Sequence, residues 1–225
     1  MIRQLHNCVL FQQFEYEQLE NLISRIPSRV VNTEKGEILI EEGQHISEIG
    51  IVLSGELCES KYFVDGSEQL MQKLRQYYMV GVEAAFSPRK TSPYHIYATK
   101  DSRIYLIPMS VLEKSDILTE EERRTLYQAC ASFLASGNIR RYKKIELLSV
   151  KNARERVYRY LCFQREKNNS NKFSIGFDRE QMANYLGLNR SVLSHTLKKM
   201  ENEGFLKVSK NKFELLDRFD EALKE

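Results

Sequence analysis

The spacing of apolar residues divides the chain into a strand-rich first part and a helical second part. Between residues 29 and 110, short apolar runs are separated by glycine-containing turns, and Asp65-Gly66 is a strong hairpin signal. Closely spaced short strands predict a β-barrel or jelly roll in this part of the chain. The predicted strands are 37–40, 50–53, 58–64, 96–98 and 104–107.

A long helix is predicted after the strands. Residues 119–122 provide an acidic start and residues 140–144 a basic end, an order that suits the helix dipole. A narrow apolar stripe with small residues suits close packing, either against a second copy of the helix or against the chain's own β domain. The pattern alone leaves these two alternatives open. The stripe contains Leu126, Cys130, Phe133 and Gly137.

Residues 178–215 have the pattern of a winged helix-turn-helix. Asp178 is predicted to cap a short helix that carries Gln181 in its first turn. Asn189 is predicted to cap a second helix, and the runs 205–208 and 213–215 alternate around a polar turn, as a hairpin wing would. The second helix has one apolar face, formed by Leu193, Leu197 and Met200.

The opposite face of this second helix is polar. Its side chains can all hydrogen-bond bases or phosphates, which is typical of a recognition helix. They are Arg190, Ser191, Ser194, His195 and Lys198.

The charge distribution favours DNA as the partner of this region. Residues 140–212 contain 18 Lys and Arg against 7 Asp and Glu, a net charge of +11, whereas residues 1–139 have 14 against 19. The modest total of +3 therefore hides a strongly basic module. A solvated basic face is the simpler interpretation of most charge runs. A positive electrostatic potential concentrated on a helix-turn-helix pattern, however, favours binding to the phosphate backbone of DNA.

Length and composition fit two domains joined by the long helix. The predicted boundaries are 1–118 for the β domain, 119–147 for the helix and hinge, and 148–225 for the DNA-binding domain. We find no apolar run of the roughly 20 residues that a membrane span requires and no secretion signal, so a cytoplasmic location is expected. The four cysteines are scattered without metal-ligand spacing, so no metal site is predicted.

The residue order in the strand-rich part of the chain indicates a particular type of domain, which the periodicity alone does not. Residues 35–74, KGEILIEEGQHISEIGIVLSGELCESKYFVDGSEQLMQKL, resemble the cyclic-nucleotide-binding β-roll. With the winged helix, residues 10–217 resemble the family of the cyclic-AMP receptor protein and the fumarate-nitrate regulator. The resemblance implies an α+β fold with a β-roll (jelly roll), a long dimerisation helix and a C-terminal winged helix-turn-helix. It also implies a bacterial homodimeric transcription regulator that binds a palindromic promoter site and responds to a signal at the β-roll.

The residues at the expected effector site argue against cyclic AMP. Family members that bind it hold the ribose with Gly-Glu and the phosphate with Arg-Ser, whereas here Gly81 is followed by Val82, and Ser92-Pro93 falls where Arg-Ser is expected. Valine cannot accept a hydroxyl hydrogen bond, and a buried phosphate without a partner would be costly. Glu83 and Arg89 are the available substitutes.

An iron-sulfur cluster, known elsewhere in the family, requires clustered N-terminal cysteines, and Cys8 stands alone. We therefore expect no such cluster and a small-molecule effector other than cyclic AMP, of unknown identity.

The resemblance places base-reading contacts at Arg190, Ser191, Ser194 and His195. Better-known members have Glu at the position of Ser191 and Arg at that of His195, so the half-site should differ from theirs. The exposed loop 167–171 is either a plain surface loop or, as the resemblance implies, a contact for RNA polymerase. Backbone contacts are predicted for Arg179, Gln181, Asn189, Lys198, Lys199 and Lys210.

Three alternatives to an effector-controlled DNA-binding regulator are considered. An enzyme is not favoured, because no nucleophile-base pair, metal motif or phosphate-binding loop is present in the sequence. A nucleotide-binding sensor that acts through a protein partner would leave the +11 module unexplained. A regulator that binds DNA constitutively, without an effector, is compatible with the same residues.

Overall fold

A computed structural model describes residues 1–114 and 116–223 of the chain. The chain divides into two compact units, residues 1–139 and 140–225. The predicted first and last domains include residues 115 and 224–225, which lie outside the described part. The division falls within one long helix, Glu120–Ser149.

The first unit is built on an antiparallel sheet with hydrogen-bonded order β1-β6-β3-β4, in which β2 also pairs with β6 and β5 with β3. Its strands are β1 (Arg29–Thr33), β2 (Ile38–Ile40), β3 (Glu48–Tyr62), β4 (Glu68–Arg75), β5 (Met79–Val80) and β6 (His95–Pro108). Its helices are α1 (Ile2–His6), α2 (Tyr16–Arg25), α3 (Val82–Ala85), α4 (Met109–Lys114) and the first part of α5 (Glu120–Ser149).

The prediction of separate short strands was wrong for the two longest elements. Predicted strand 50–53 and residues 58–62 of predicted strand 58–64 belong to the single strand β3, and 96–98 and 104–107 both belong to β6. The pairing of β3 with β6 shifts register at three places between Val52 and Leu57, so the strands bend without ending. Gly55, with φ +89°, supplies the left-handed backbone in the middle of β3.

The hairpin predicted at Asp65-Gly66 is confirmed. It joins β3 to β4, and Gly66 has φ +78° and donates its N–H to the carbonyl of Phe63 at 2.9 Å. Asp65 accepts hydrogen bonds from both the amide and the hydroxyl of Ser67, which fixes the turn from inside.

A buried ion pair lies beside this hairpin. The Glu56 carboxylate accepts from Lys73 Nζ at 2.9 Å and from Arg75 Nε at 3.2 Å. Burial acts against the charged form, but the hydrogen bonds from Lys73, Thr99 and Arg75 outweigh it and lower the pKa of Glu56 below its ordinary value. The middle of β3 therefore carries a charge that its cross-strand neighbours satisfy.

The second unit has the predicted winged helix-turn-helix. After the last part of α5, its elements are α6 (Ala153–Asn168), β7 (Lys172–Ser174), α7 (Arg179–Tyr185), α8 (Arg190–Asn202), β8 (Leu206–Ser209), β9 (Lys212–Leu215) and a 3₁₀ helix (Asp217–Glu221). The wing is a three-stranded sheet in the order β7-β9-β8. The sequence did not predict β7, whose three residues pair with β9 about forty positions later.

The long helix predicted after the strands is confirmed as α5, but its apolar stripe packs inward. The core of the first unit buries Leu126, Cys130 and Phe133. The centres of the Phe133 and Tyr78 rings are 5.1 Å apart. Gly137 on the same stripe is also buried. Leu126, Cys130 and Phe133 therefore pack on their own β domain, which is the second of the two alternatives left open by the sequence pattern.

Candidate nucleic-acid interface

The first helix of the motif begins with a complete capping box. Asp178 accepts a hydrogen bond from the amide of Gln181 at 2.8 Å, and the side-chain oxygen of Gln181 accepts from the amide of Asp178 at 3.1 Å. Two amides that the helix leaves unsatisfied are therefore bonded reciprocally. The cap predicted at Asp178 is confirmed, and Gln181 has a structural task beside its predicted DNA contact.

A tight turn leads from α7 to α8. Gly187 has φ +60°, and the amide of Leu188 donates to the carbonyl of Ala183 at 2.9 Å. Asn189 occupies the position before α8, but its side chain makes no capping hydrogen bond. The predicted side-chain cap at Asn189 is therefore wrong, and the Asn189 amide group is exposed next to the first turn of α8.

Helix α8 separates an apolar face from a polar one, as predicted. Leu193, Leu197 and Met200 are buried in the core of the second unit. The structure also exposes Val192, at 40%, between the predicted base-reading residues, and the polarity pattern had not selected it. An exposed branched apolar side chain suits the methyl group of thymine. All predicted polar positions of this helix are exposed: Arg190, Ser191, Ser194, His195, Lys198 and Lys199.

Arg190 has a carboxylate neighbour. Its Nη1 lies 3.4 Å from Glu180 Oε2 of α7, and both side chains are largely exposed. An exposed pair of this length contributes little to stability. With this neighbour, the Arg190 guanidinium lies beside the first turn of α8, where base contacts of a recognition helix are made.

Arg179 is engaged within the motif. Its Nη2 donates to the main-chain carbonyl of Lys210 at 3.1 Å, and its guanidinium lies 5.8 Å from the centre of the Phe213 ring. Burial lowers the pKa of Arg179 from its ordinary value. Arg179, predicted as a backbone contact, therefore joins the start of α7 to the wing.

The wing presents Lys210 at its tip. Lys210 has φ +53°, a left-handed conformation that side-chain-bearing residues seldom adopt, and it lies in the turn between β8 and β9. Asn211 next to it donates from its side chain to the carbonyl of Ile175 at 3.1 Å. The outer face of the wing sheet adds Lys172, Lys207 and Lys212, with Glu214 between the first two.

The residues of the predicted effector site all belong to the first unit but differ in exposure. Val82 is fully buried in the core, whereas Arg89 is exposed. Ser92 is buried and its hydroxyl donates to the carbonyl of Tyr94 at 2.7 Å, while the Tyr94 hydroxyl donates to Glu83 at 3.2 Å. Gly81, with φ +78°, precedes the first residue of α3.

No group of three or more metal-ligating side chains is found in residues 1–114 and 116–223. Across the same ranges, no helix is long and apolar enough to cross a membrane.

Comparisons with known proteins match both units. The cyclic nucleotide-binding domain family matches residues 30–115, and the Crp-like helix-turn-helix domain family matches residues 155–224. The fumarate and nitrate reduction regulatory protein of Shigella dysenteriae is 27% identical over 221 residues, which cover 95% of this chain and 84% of that protein. The transcriptional activator protein FnrA of Stutzerimonas stutzeri is 26% identical over 189 residues, 81% of this chain and 75% of that protein.

Solved structures share the fold at lower identity. The global regulator CLP of Xanthomonas campestris, described as responsive to c-di-GMP, superposes with a TM-score of 0.71 at 15% identity, covering 89% of this chain and 99% of that one. FixK2 of Bradyrhizobium japonicum gives a TM-score of 0.63 at 20% identity, covering 86% of this chain and 94% of that one.

A basic winged helix-turn-helix joined to a β-roll by a long helix defines a DNA-binding transcription regulator. The two matching domain families and the curated relatives then identify the lineage, and the chain belongs to the Crp/Fnr family.

Proposed function

We propose that the protein is a homodimeric regulator that binds a palindromic promoter site and is controlled by a small-molecule effector other than cyclic AMP. The exposed polar face of α8 carries the DNA-binding part of this proposal. It projects from a helix whose other face is buried, so the backbone positions that carry its side chains are fixed. The net charge of +11 over residues 140–212 supplies the attraction to phosphate.

We assign the base contacts by the chemistry of the exposed side chains. Arg190 can form a bidentate contact with guanine, and Val192 can meet a thymine methyl group. Ser191, Ser194 and His195 offer single hydrogen bonds, which discriminate bases less strongly. The backbone contacts are proposed for Gln181, Asn189, Lys198, Lys199 and Lys210.

The dimer surface is proposed on the outward face of α5. Tyr127, Ala131, Ala135 and Ile139 follow one another at helical spacing and are exposed, whereas the predicted stripe is buried. Two copies of such a stripe, with small residues at its centre, can pack closely.

The proposed dimer surface can be tested by introducing one charged side chain into it. We expect Ile139→Glu to convert the protein into a monomer at micromolar concentration in sedimentation velocity. Ile38→Glu is the matched control, since Ile38 is exposed at 48% and Ile139 at 62%. A dimer that survives Ile139→Glu would contradict this surface.

The effector proposal rests on the side chains around α3. Val82 has no acceptor to offer a ribose, and Ser92 already donates to Tyr94. An effector held mainly by hydroxyl and phosphate groups therefore has few partners there. RNA polymerase is a further proposed partner. Of the predicted loop 167–171, residues 167–168 form the end of α6, so the proposed contact is limited to the exposed residues 169–171.

The central experiment is selection of binding sites from random duplex DNA, with and without a small-molecule extract of the source cells. We expect an enriched palindrome with half-site centres about 10 base pairs apart, or a multiple of that. Dependence on the extract would identify an effector-controlled regulator, and enrichment without it would indicate constitutive binding. Failure to enrich any duplex under either condition would contradict the DNA-binding proposal and favour a sensor that acts through a protein partner.

A further inference from the structure

Arg156 on α6 binds three main-chain carbonyls from two different parts of the second unit. Its Nε and Nη2 donate to the carbonyl of Val150 at 3.0 and 2.5 Å. Its Nη1 donates to the carbonyls of Leu186 at 2.8 Å and Gly187 at 3.0 Å. One side chain therefore bridges the segment after α5 and the turn of the helix-turn-helix.

These carbonyls share a physical property. Val150 follows the last residue of α5, and Leu186 is the C-terminal capping residue of α7. The last carbonyls of a helix have no partner within the helix and carry the negative end of its dipole. A planar guanidinium with donors on several sides can cap two helix ends at once, which a lysine ammonium cannot do in the same geometry.

Packing around the turn brings the same two segments together. A Cβ added at Gly187 would lie 3.3 Å from Leu148 Cδ2 and 3.5 Å from Arg156 Nη1, so glycine permits the close approach. The ammonium of Lys144 lies 4.3 Å from the centre of the Tyr185 ring and is buried. The last turns of α5 thus contact α7 and the turn through side chains as well as through Arg156.

We propose that Arg156 is a positioning residue that fixes the recognition helix to the end of α5. The turn that Arg156 holds leads directly to Arg190, the first residue of α8. The orientation of the base-reading face therefore follows the last turns of α5. This inference rests on the proposed DNA-binding function, because the orientation of α8 matters only if α8 reads DNA.

The test compares two substitutions of the same kind on the same helix in the full-length protein. Arg156→Lys keeps the charge but loses the bridge. Arg159→Lys is the control, because Arg159 binds the carboxylates of Glu155 and Glu146. Arg156→Ala removes the side chain altogether, and Arg156→Lys keeps the test valid if the alanine variant fails to fold.

The first measurement is hydrogen exchange of single amides by NMR. The amides of Gly187 and Leu188 report on the turn, and those of Ile175 and Leu215 report on the wing. In Arg156→Lys we expect the turn amides to exchange about tenfold faster or more, with wing amides unchanged, because one bridging side chain no longer closes the turn. Unchanged turn amides, or equal acceleration of turn and wing, would overturn the positioning role.

The second measurement is binding to the selected duplex and to random duplex. We expect Arg156→Lys to bind the selected duplex about tenfold more weakly and random duplex as the control does, because misplaced base contacts affect only specific binding. Equal weakening on both duplexes would overturn the proposal. If the wild type selected no duplex, the proposed function would fail, and the exchange measurement would still decide whether Arg156 holds the turn.

Discussion

Replacing Arg179 by alanine should weaken DNA binding through the wing and not through a phosphate contact of its own. The guanidinium of Arg179 donates to the carbonyl of Lys210, and this bond offsets the cost of the left-handed backbone at Lys210. A charged hydrogen bond contributes about 1.5–3 kcal/mol when buried, and Arg179 is only half-buried, so the lower end applies. The left-handed conformation costs about 1–2 kcal/mol for a residue with a side chain. Losing the bond therefore leaves the wing tip free to adopt other conformations.

The salt dependence of binding gives the expected magnitude. Each phosphate contact contributes about 0.9 to the slope of log K against log salt concentration. The proposed dimer has two wings, so Lys210→Ala should reduce the slope by about 1.8 in magnitude. Arg179→Ala should cause a similar or smaller reduction, because it misplaces the same lysine.

The assay is fluorescence anisotropy of a labelled duplex at several salt concentrations, for the two single variants and the double variant. We expect the double variant to lose no more slope than Lys210→Ala alone. Lys35→Ala, at an exposed lysine of the first unit, controls for the change in net charge. A double variant that loses about twice the slope of Lys210→Ala would refute the reasoning, since Arg179 would then neutralise a phosphate itself.

Three further outcomes are expected. Arg190→Ala should weaken specific binding by about 1–3 kcal/mol and relax the preference at one base step in repeated site selection, whereas an equal loss on random DNA would contradict base reading. Gly55→Ala should lower the free energy of unfolding of the first unit in urea by about 3 kcal/mol. The reason is that the new Cβ would lie 2.2 Å from Ser102 Oγ and 2.4 Å from the Asp101 carbonyl oxygen. An unchanged midpoint of urea unfolding would argue against this. Because the pKa of Glu56 is lowered in the folded protein, the ionised carboxylate stabilises the fold fully above its unfolded pKa of about 4.3. This stabilisation is lost as pH falls through the folded pKa, so Glu56→Gln should flatten the acid side of the profile of melting temperature against pH. An unaltered acid side would exclude this contribution.

The helix-turn-helix could be predicted because its signals are local. The cap at Asp178 with Gln181, the apolar spacing of α8 and the turn at Gly187 all lie within neighbouring turns of the chain. The β7 strand could not be predicted, because three residues gain their strand conformation only by pairing with β9. The same holds for Arg179, whose partner Lys210 is 31 positions away.

The β-roll shows a second reason for incomplete prediction. Ser54, Gly55 and Glu56 resemble a turn between two strands, yet β3 continues through them because Gly55 allows a bend and Lys73 neutralises Glu56. The apolar stripe of α5 was predicted correctly as apolar, but a stripe does not specify what covers it. The core of the first unit covers it here, which leaves Ile139 and Tyr127 outside.

The buried thiols of the first unit report on its opening. Cys8, Cys58 and Cys130 are buried in the first unit, where burial raises the pKa values of their thiols to about 11, 11 and 12. Cys162 is half-buried in the second unit. A thiol reagent added under native conditions therefore modifies the first three only when their surroundings open. The kinetics of modification, residue by residue, would give opening free energies for the surroundings of these three thiols of the first unit without any added label.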